Sequence, residues 1–87
     1  MTYYLKCDSE PLMAIEFGLK TFEFRKDDRG GYQVGDLLIL QCDESGLSIP
    51  VQVVYIIRCP SYGIPDGYCA MSVRKVLKSA KEGEVRP

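Results

Sequence analysis

Between Gly18 and Arg25 the chain runs Gly-Leu-Lys-Thr-Phe-Glu-Phe-Arg, with charged side chains alternating with aromatic ones. In a β-strand, successive side chains point to opposite faces of the sheet. The spacing therefore places Phe22 and Phe24 on one face and Thr21, Glu23 and Arg25 on the other, with Lys20 just before them. The aromatic face can bury in a core. The opposite face carries a hydroxyl, a carboxylate and a guanidinium, a combination that points to a polar site.

The rest of the chain divides into short apolar runs separated by turn residues. Tyr3–Cys7 reads as a first strand. Asp8 or Ser9 can cap a helix that carries Glu10 and Pro11 in its first turn, where proline lacks no needed donor. Leu12, Ile15 and Leu19 are spaced for one helical face, and Gly18 marks the helix end. Thr21–Lys26 is the second strand, followed by the turn-rich Asp27-Asp28-Arg29-Gly30-Gly31. Val34-Gly35-Asp36 is a tight structural turn before the aliphatic strand Leu37–Cys42. Asp43-Glu44-Ser45-Gly46 is a hairpin turn leading into a long β-branched strand, Ile49–Arg58. Pro50 suggests either an edge position or a strand beginning. Cys59–Gly67 is a loop, Tyr68–Val76 is the last strand, and the charged tail 77–87 is expected to fray, with a short helix over Val76–Ala80 as the alternative.

Five strands and one early helix joined by short loops predict an α+β domain: a small five-stranded mixed β-barrel with the helix capping one end. The 87 residues form a single domain, residues 1–87, above the size at which a chain usually needs disulfides or metals to fold. No run approaches the roughly 20 apolar residues of a membrane span. The start, Met1-Thr2-Tyr3-Tyr4-Leu5-Lys6, lacks the layout of a signal peptide, so a cytoplasmic location is expected.

Composition narrows the chemistry. With 11 basic and 12 acidic residues the net charge is −1, so no global field draws the protein to nucleic acid and any such binding needs a local patch. Two stretches could supply one: Lys20, Arg25, Lys26 and Arg29, diluted by Asp27 and Asp28, or Arg74, Lys75, Lys78 and Lys81, which read better as a solvated face. The four cysteines (Cys7, Cys42, Cys59, Cys69) are far apart and there is no histidine. That spacing argues against a metal site, and the cysteines read as reduced, mostly buried thiols. The missing histidine removes Ser-His-Asp and Cys-His catalysis. No cofactor is expected.

Gly18, Lys20, Glu23 and Arg25 resemble the Gly-x-Lys-x-x-Glu-x-Arg signature of the ASCH domain, a branch of the PUA-like barrel superfamily. The resemblance is closer still to an uncharacterised ASCH-like family of phage and bacterial proteins. Its pattern is matched by Lys20-Thr21-Phe22-Glu23-Phe24-Arg25-Lys26-Asp27-Asp28-Arg29, then by Val34-Gly35-Asp36 and Leu37–Leu40, and by the closing Gly67-Tyr68. It extends over roughly Leu5–Val76. It implies a PUA-like barrel and an RNA- or nucleotide-like ligand. One bacterial ASCH protein is an amidohydrolase that deacetylates N4-acetylcytidine with a lysine, a threonine and a glutamate. Lys20 aligns with that lysine, but Glu23 stands where the threonine would be and the segment carrying the glutamate is missing. A histidine frequent before the Leu-Lys start of the family is replaced here by Tyr4. The hydrolase activity does not carry over.

The candidate ligand-binding residues are Lys20, Thr21, Glu23, Arg25, Lys26, Arg29 and Tyr68; Lys20 and Glu23 are catalytic only if the protein is an enzyme. Arg25 offers a planar fork suited to phosphate or a base edge. Tyr62 and Tyr68 could stack a base, although a tyrosine beside a loop glycine is more often a rim residue. Tyr3 and Tyr4 read as core and edge packing. A lysine desolvated in a cleft can serve as base or nucleophile, an effect that a neighbouring carboxylate opposes. The purely structural alternative is that Glu23 pairs with Lys20 or Arg25 and fixes the barrel seam. Three functions follow: binding of RNA or a nucleotide-like molecule, hydrolysis of a modified nucleoside with Lys20 as base, or a phage-type module that binds another protein and leaves the cleft vestigial.

Overall fold

The structure, a computed structural model, describes residues 1–76. The tail 77–87, with Lys78, Lys81 and most of the helix expected over Val76–Ala80, lies outside the described residues. The apolar runs become strands β1 (Thr2–Lys6), β2 (Phe22–Lys26), β3 (Leu37–Gln41), β4 (Ser48–Ile57) and β5 (Tyr68–Lys75), with one helix, α1 (Ser9–Glu16), between β1 and β2. They form one sheet in the order β1-β3-β4-β5-β2, curled into a half-barrel. β1 and β3 run parallel and every other pair is antiparallel. The α+β mixed sheet with a single early helix is as the sequence predicts.

The core is written in the alternation of the strands. Leu5 of β1 stands against Leu40 of β3, which in turn faces Ile49 of β4. Val51, Val53, Cys69, Met71 and Val73 continue this inner layer. Leu12 and Ile15, three apart on one face of α1, close over it. Leu19, expected on that face, is 82% exposed because the helix has already ended. Asp8 is the N-cap, with extended backbone and no capping side-chain bond.

The turns follow their local chemistry. Gly46 bonds back to the Cys42 carbonyl, closing the β3–β4 hairpin. At Val34-Gly35-Asp36 the buried Asp36 carboxylate accepts from the Gln33 backbone and the Met1 amino group, while the Gly35 and Val53 amides lock the turn to β4. Pro50 is not at an edge: β4 is central. It sits at the third position of that strand, before pairing with β5 begins at Val51, where a missing N–H is tolerated. A bulge between Val53 and Tyr55 inserts Val54 and keeps Val53 and Ile56 inward while Tyr55 and Ile57 face out.

The main departure from expectation is the facing of β2. Phe22 and Phe24 are 54% and 50% exposed, and Glu23 is buried. The partner strand decides this. Glu23 pairs with Met71 and Arg25 with Cys69, and directly paired residues share a face. Met71 and Cys69 are committed to the core through β4, so Glu23 and Arg25 must point inward. The aromatics are left opposite Ala70 and Ser72 on the outside.

Candidate ligand-binding cleft

A carboxylate turned toward the core needs partners, and the local fold delivers two. At the end of α1, the Leu19 amide bonds the Ala14 carbonyl and the Gly18 amide bonds that of Ile15, a Schellman arrangement with Gly18 at φ +76°. The Lys20 amide bonds the same Ala14 carbonyl at 3.0 Å, which sets where the lysine leaves the helix. Its ammonium donates to Glu23 Oε2, and Arg25 Nε donates to Glu23 Oε1 at 2.8 Å. Both carboxylate oxygens are thus engaged, and the Glu23 side chain is only 3% exposed against 20% for Lys20 and 24% for Arg25. Arg25 also donates from Nη2 to the Lys6 carbonyl at 3.1 Å.

These three side chains line a cleft of about 540 Å³ between the β2 edge and the ends of β1 and β3. An ammonium has three N–H donors and a guanidinium five, so the contacts above leave donors on Lys20 and Arg25 for a ligand. The cleft is not simply cationic. Lys6, Lys20 and Arg25 line it together with Asp8, Glu23, Asp43 and Glu44. The Lys6–Asp43 pair is exposed at the rim and contributes little. Such a lining suits a ligand with both donor and acceptor edges better than a polyphosphate.

Cys7 and Cys42 form part of the wall. Burial pushes the Cys7 thiol up, with the Glu23 charge adding to it and Arg25 and Lys20 opposing. Cys7 is therefore a poor thiolate and a wall rather than a nucleophile. Hydrogen bonding with Ser45 draws the Cys42 thiol down. All four cysteines are free; Cys42 and Cys69 are buried, Cys7 is half-buried, and Cys59 is exposed. Among the described residues no three Cys, Asp or Glu side chains form a metal-binding group.

The other expected site residues lie elsewhere. Thr21 is exposed, its carbonyl accepting from Val73, and it borders a smaller cavity of about 230 Å³ beside the helix end. Lys26 and Tyr68 face each other on the outer side of the sheet, and the Tyr68 ring stacks on Phe24 at 5.4 Å. Arg29 is on an exposed loop near Asp28, its carbonyl receiving the Tyr3 hydroxyl. Lys6, Cys7, Asp8 and Asp43 were not foreseen. Lys6 and Cys7 end the predicted strand Tyr3–Cys7, and Asp43 lies in a predicted turn, but their convergence depends on long-range pairing. A second unforeseen pair, Arg58 Nε to Asp27 Oδ2 at 2.6 Å, pins the Asp27 loop, whose other oxygen accepts from the Tyr32 amide. The Arg58 hydrogen bond holds the Asp27 carboxyl below its usual range.

A family model described as a domain of unknown function, DUF3850, matches residues 2–73. A crystal structure described as hypothetical protein PH0355 is similar in fold, with a TM-score of 0.62 at 19% identity, covering 87% of this chain and all of that one. No curated protein matches. Among the described residues no helix is long and apolar enough to cross a membrane.

Proposed function

The chain belongs to the DUF3850 family, and from that premise we propose that it binds RNA or a nucleotide-like molecule in the cleft lined by Lys20, Glu23 and Arg25. The observation that carries this reading is the buried Glu23 carboxylate, whose two oxygens hold Lys20 and Arg25 so that their remaining donors are presented to the cleft. We read Gly18, Lys20, Glu23 and Arg25 as an ASCH cleft signature on a PUA-like barrel. In that reading Lys20 and Arg25 meet phosphate or base acceptors. The acidic rim at Asp8, Asp43 and Glu44 accepts from exocyclic amines and disfavours a long, charge-driven nucleic-acid contact.

Hydrolysis of a modified nucleoside by Lys20 has less support. The Lys20 ammonium is a donor to Glu23, whose other oxygen is held by Arg25, so both groups are engaged in an ion-pair network rather than poised on an open nucleophile. The test is a calorimetric or NMR titration with nucleosides, mononucleotides and short RNAs. Binding is expected in the cleft, and Lys20→Ala and Arg25→Ala each weaken it. Unchanged affinity in both variants overturns the reading.

A further inference from the structure

The opposite face of β2 carries a second feature, whose two phenylalanines, Phe22 and Phe24, also border the cleft. Phe22 and Phe24 point outward from β2, Tyr68 from β5 and Tyr55 from β4. Tyr55 is 61% exposed, like the half-exposed pair on β2. The Phe24 and Tyr68 rings are nearly parallel, 16° apart. Between Phe22 and Tyr55 the small side chains Ala70 and Ser72 leave a shallow trough of about 240 Å³. The bulge at Val54 creates this layout, because in an unshifted register Tyr55 would pair with Met71 and turn inward.

The charges on the outer face itself are cationic, while the acidic Asp8, Asp43 and Glu44 line the cleft that Phe22 and Phe24 border. Lys26 and Arg74 stand on the same outer face, the latter held by Gln52, and the Lys20 ammonium lies 5.0 Å from the centre of the Phe22 ring. The outward positions of β2, β5 and this part of β4 are Phe22, Phe24, Lys26, Tyr68, Ala70, Ser72, Arg74, Gln52, Tyr55 and Ile57, without an acidic residue. We propose that this face is a stacking platform for single-stranded nucleic acid, with bases on the aromatic rings and phosphates against Lys26 and Arg74. Every base has a π-face, so the platform takes pyrimidine and purine strands without a fixed sequence. A second copy of this chain fits less well. A two-fold interface on this patch brings the same cations of both copies together, which is unfavourable.

The experiment is fluorescence anisotropy with labelled homopyrimidine DNA and RNA of about ten nucleotides, read from about 50 to about 200 mM salt. The wild type is expected to bind with a shallow salt slope near −1.4, about −0.7 for each of two phosphates. Phe24→Ala and Tyr68→Ala each weaken binding about tenfold, one base's stacking. Phe24→Leu, which keeps apolar area without a π-face, weakens it as much as Phe24→Ala. Lys26→Ala flattens the slope by about 0.7. Lys75→Ala, which removes a cation paired with Glu16 on the helix side, leaves oligonucleotide affinity within about twofold of wild type, and Arg25→Ala reads the cleft's share of binding separately. Circular dichroism checks that each variant is folded. No binding by wild type, equal affinity in the folded Phe24 and Tyr68 variants, or loss confined to Arg25→Ala overturns the proposal. So does a sedimenting dimer that the platform variants dissociate.

Discussion

Arg25 on β2 donates a hydrogen bond to the backbone carbonyl of Lys6 on β1 at 3.1 Å, joining the two outermost strands of the sheet. No backbone ladder connects these edges among the described residues. The half-barrel is drawn together here by a side chain, and the same guanidinium braces Glu23. Closure of the fold and assembly of the cleft therefore share one residue.

Arg25→Ala should cost stability as well as ligand affinity. It removes a charge-assisted bond to a carboxylate that is 3% exposed and the bridge to Lys6. A loss of about 2 kcal/mol in urea unfolding is expected. Arg25→Lys recovers only part of it, since an ammonium lacks the fork that reaches two acceptors. Full recovery in Arg25→Lys contradicts the bridging role.

Glu23→Ala should be the more damaging change. It strips Lys20 and Arg25 of their shared partner and leaves a void under β2, for about 3 kcal/mol, the lower end for breaking a buried pair. The measurement is equilibrium unfolding beside a titration with the cleft ligand. A near-neutral change argues that the pair is decorative.

Gly18→Ala tests how the helix end aims Lys20. The glycine holds φ +76° with open space around it, so the penalty is backbone strain alone, about 1 kcal/mol. Because the Gly18 and Lys20 amides both bond the last turn of α1, ligand affinity should fall alongside stability. A stability loss with unaltered affinity separates the two.

Phe24→Ala should be mild for the fold. An exposed ring that stacks on Tyr68 is worth about 1 kcal/mol, whereas a core phenylalanine costs about 3 to 5 kcal/mol on removal. A loss in the core range contradicts the outward facing of β2.

The Asp27–Arg58 pair predicts a specific acid response. Asp27 titrates below its usual 3.8 in the folded protein, chiefly through the Arg58 hydrogen bond. Its contribution is complete above the unfolded value and is lost as pH falls through the lower folded one. The urea midpoint of the wild type should therefore fall at acid pH more steeply than that of Asp27→Asn, and salt should shrink the gap because Arg58 is 45% exposed. Parallel profiles rule the pair out as a contributor.

Much of the fold was legible. The strand runs, the Gly46 hairpin, the Asp36 turn and the two buried helix positions all follow from local spacing and turn chemistry, which act within a few residues. Three of the expected site residues, Lys20, Glu23 and Arg25, do converge, because two lie on one strand face and the third follows a helix stop. Thr21, Lys26, Arg29 and Tyr68 do not join them. Thr21 precedes β2, Arg29 is in a loop, and Lys26 and Tyr68 occupy the other face. Leu19 was misplaced because a helical spacing was extended past the glycine that ended the helix.

The alternation around Glu23 determined from sequence alone that β2 has a polar and an aromatic face. It could not say which face is inside, because a period of two is the same pattern from either side. Only the tertiary structure decided that. Met71 and Cys69, held in the core by β4, draw Glu23 and Arg25 inward, where Lys20 and the Lys6 carbonyl complete their hydrogen bonding. A buried carboxylate with both oxygens satisfied is affordable, and the aromatics are released to the surface.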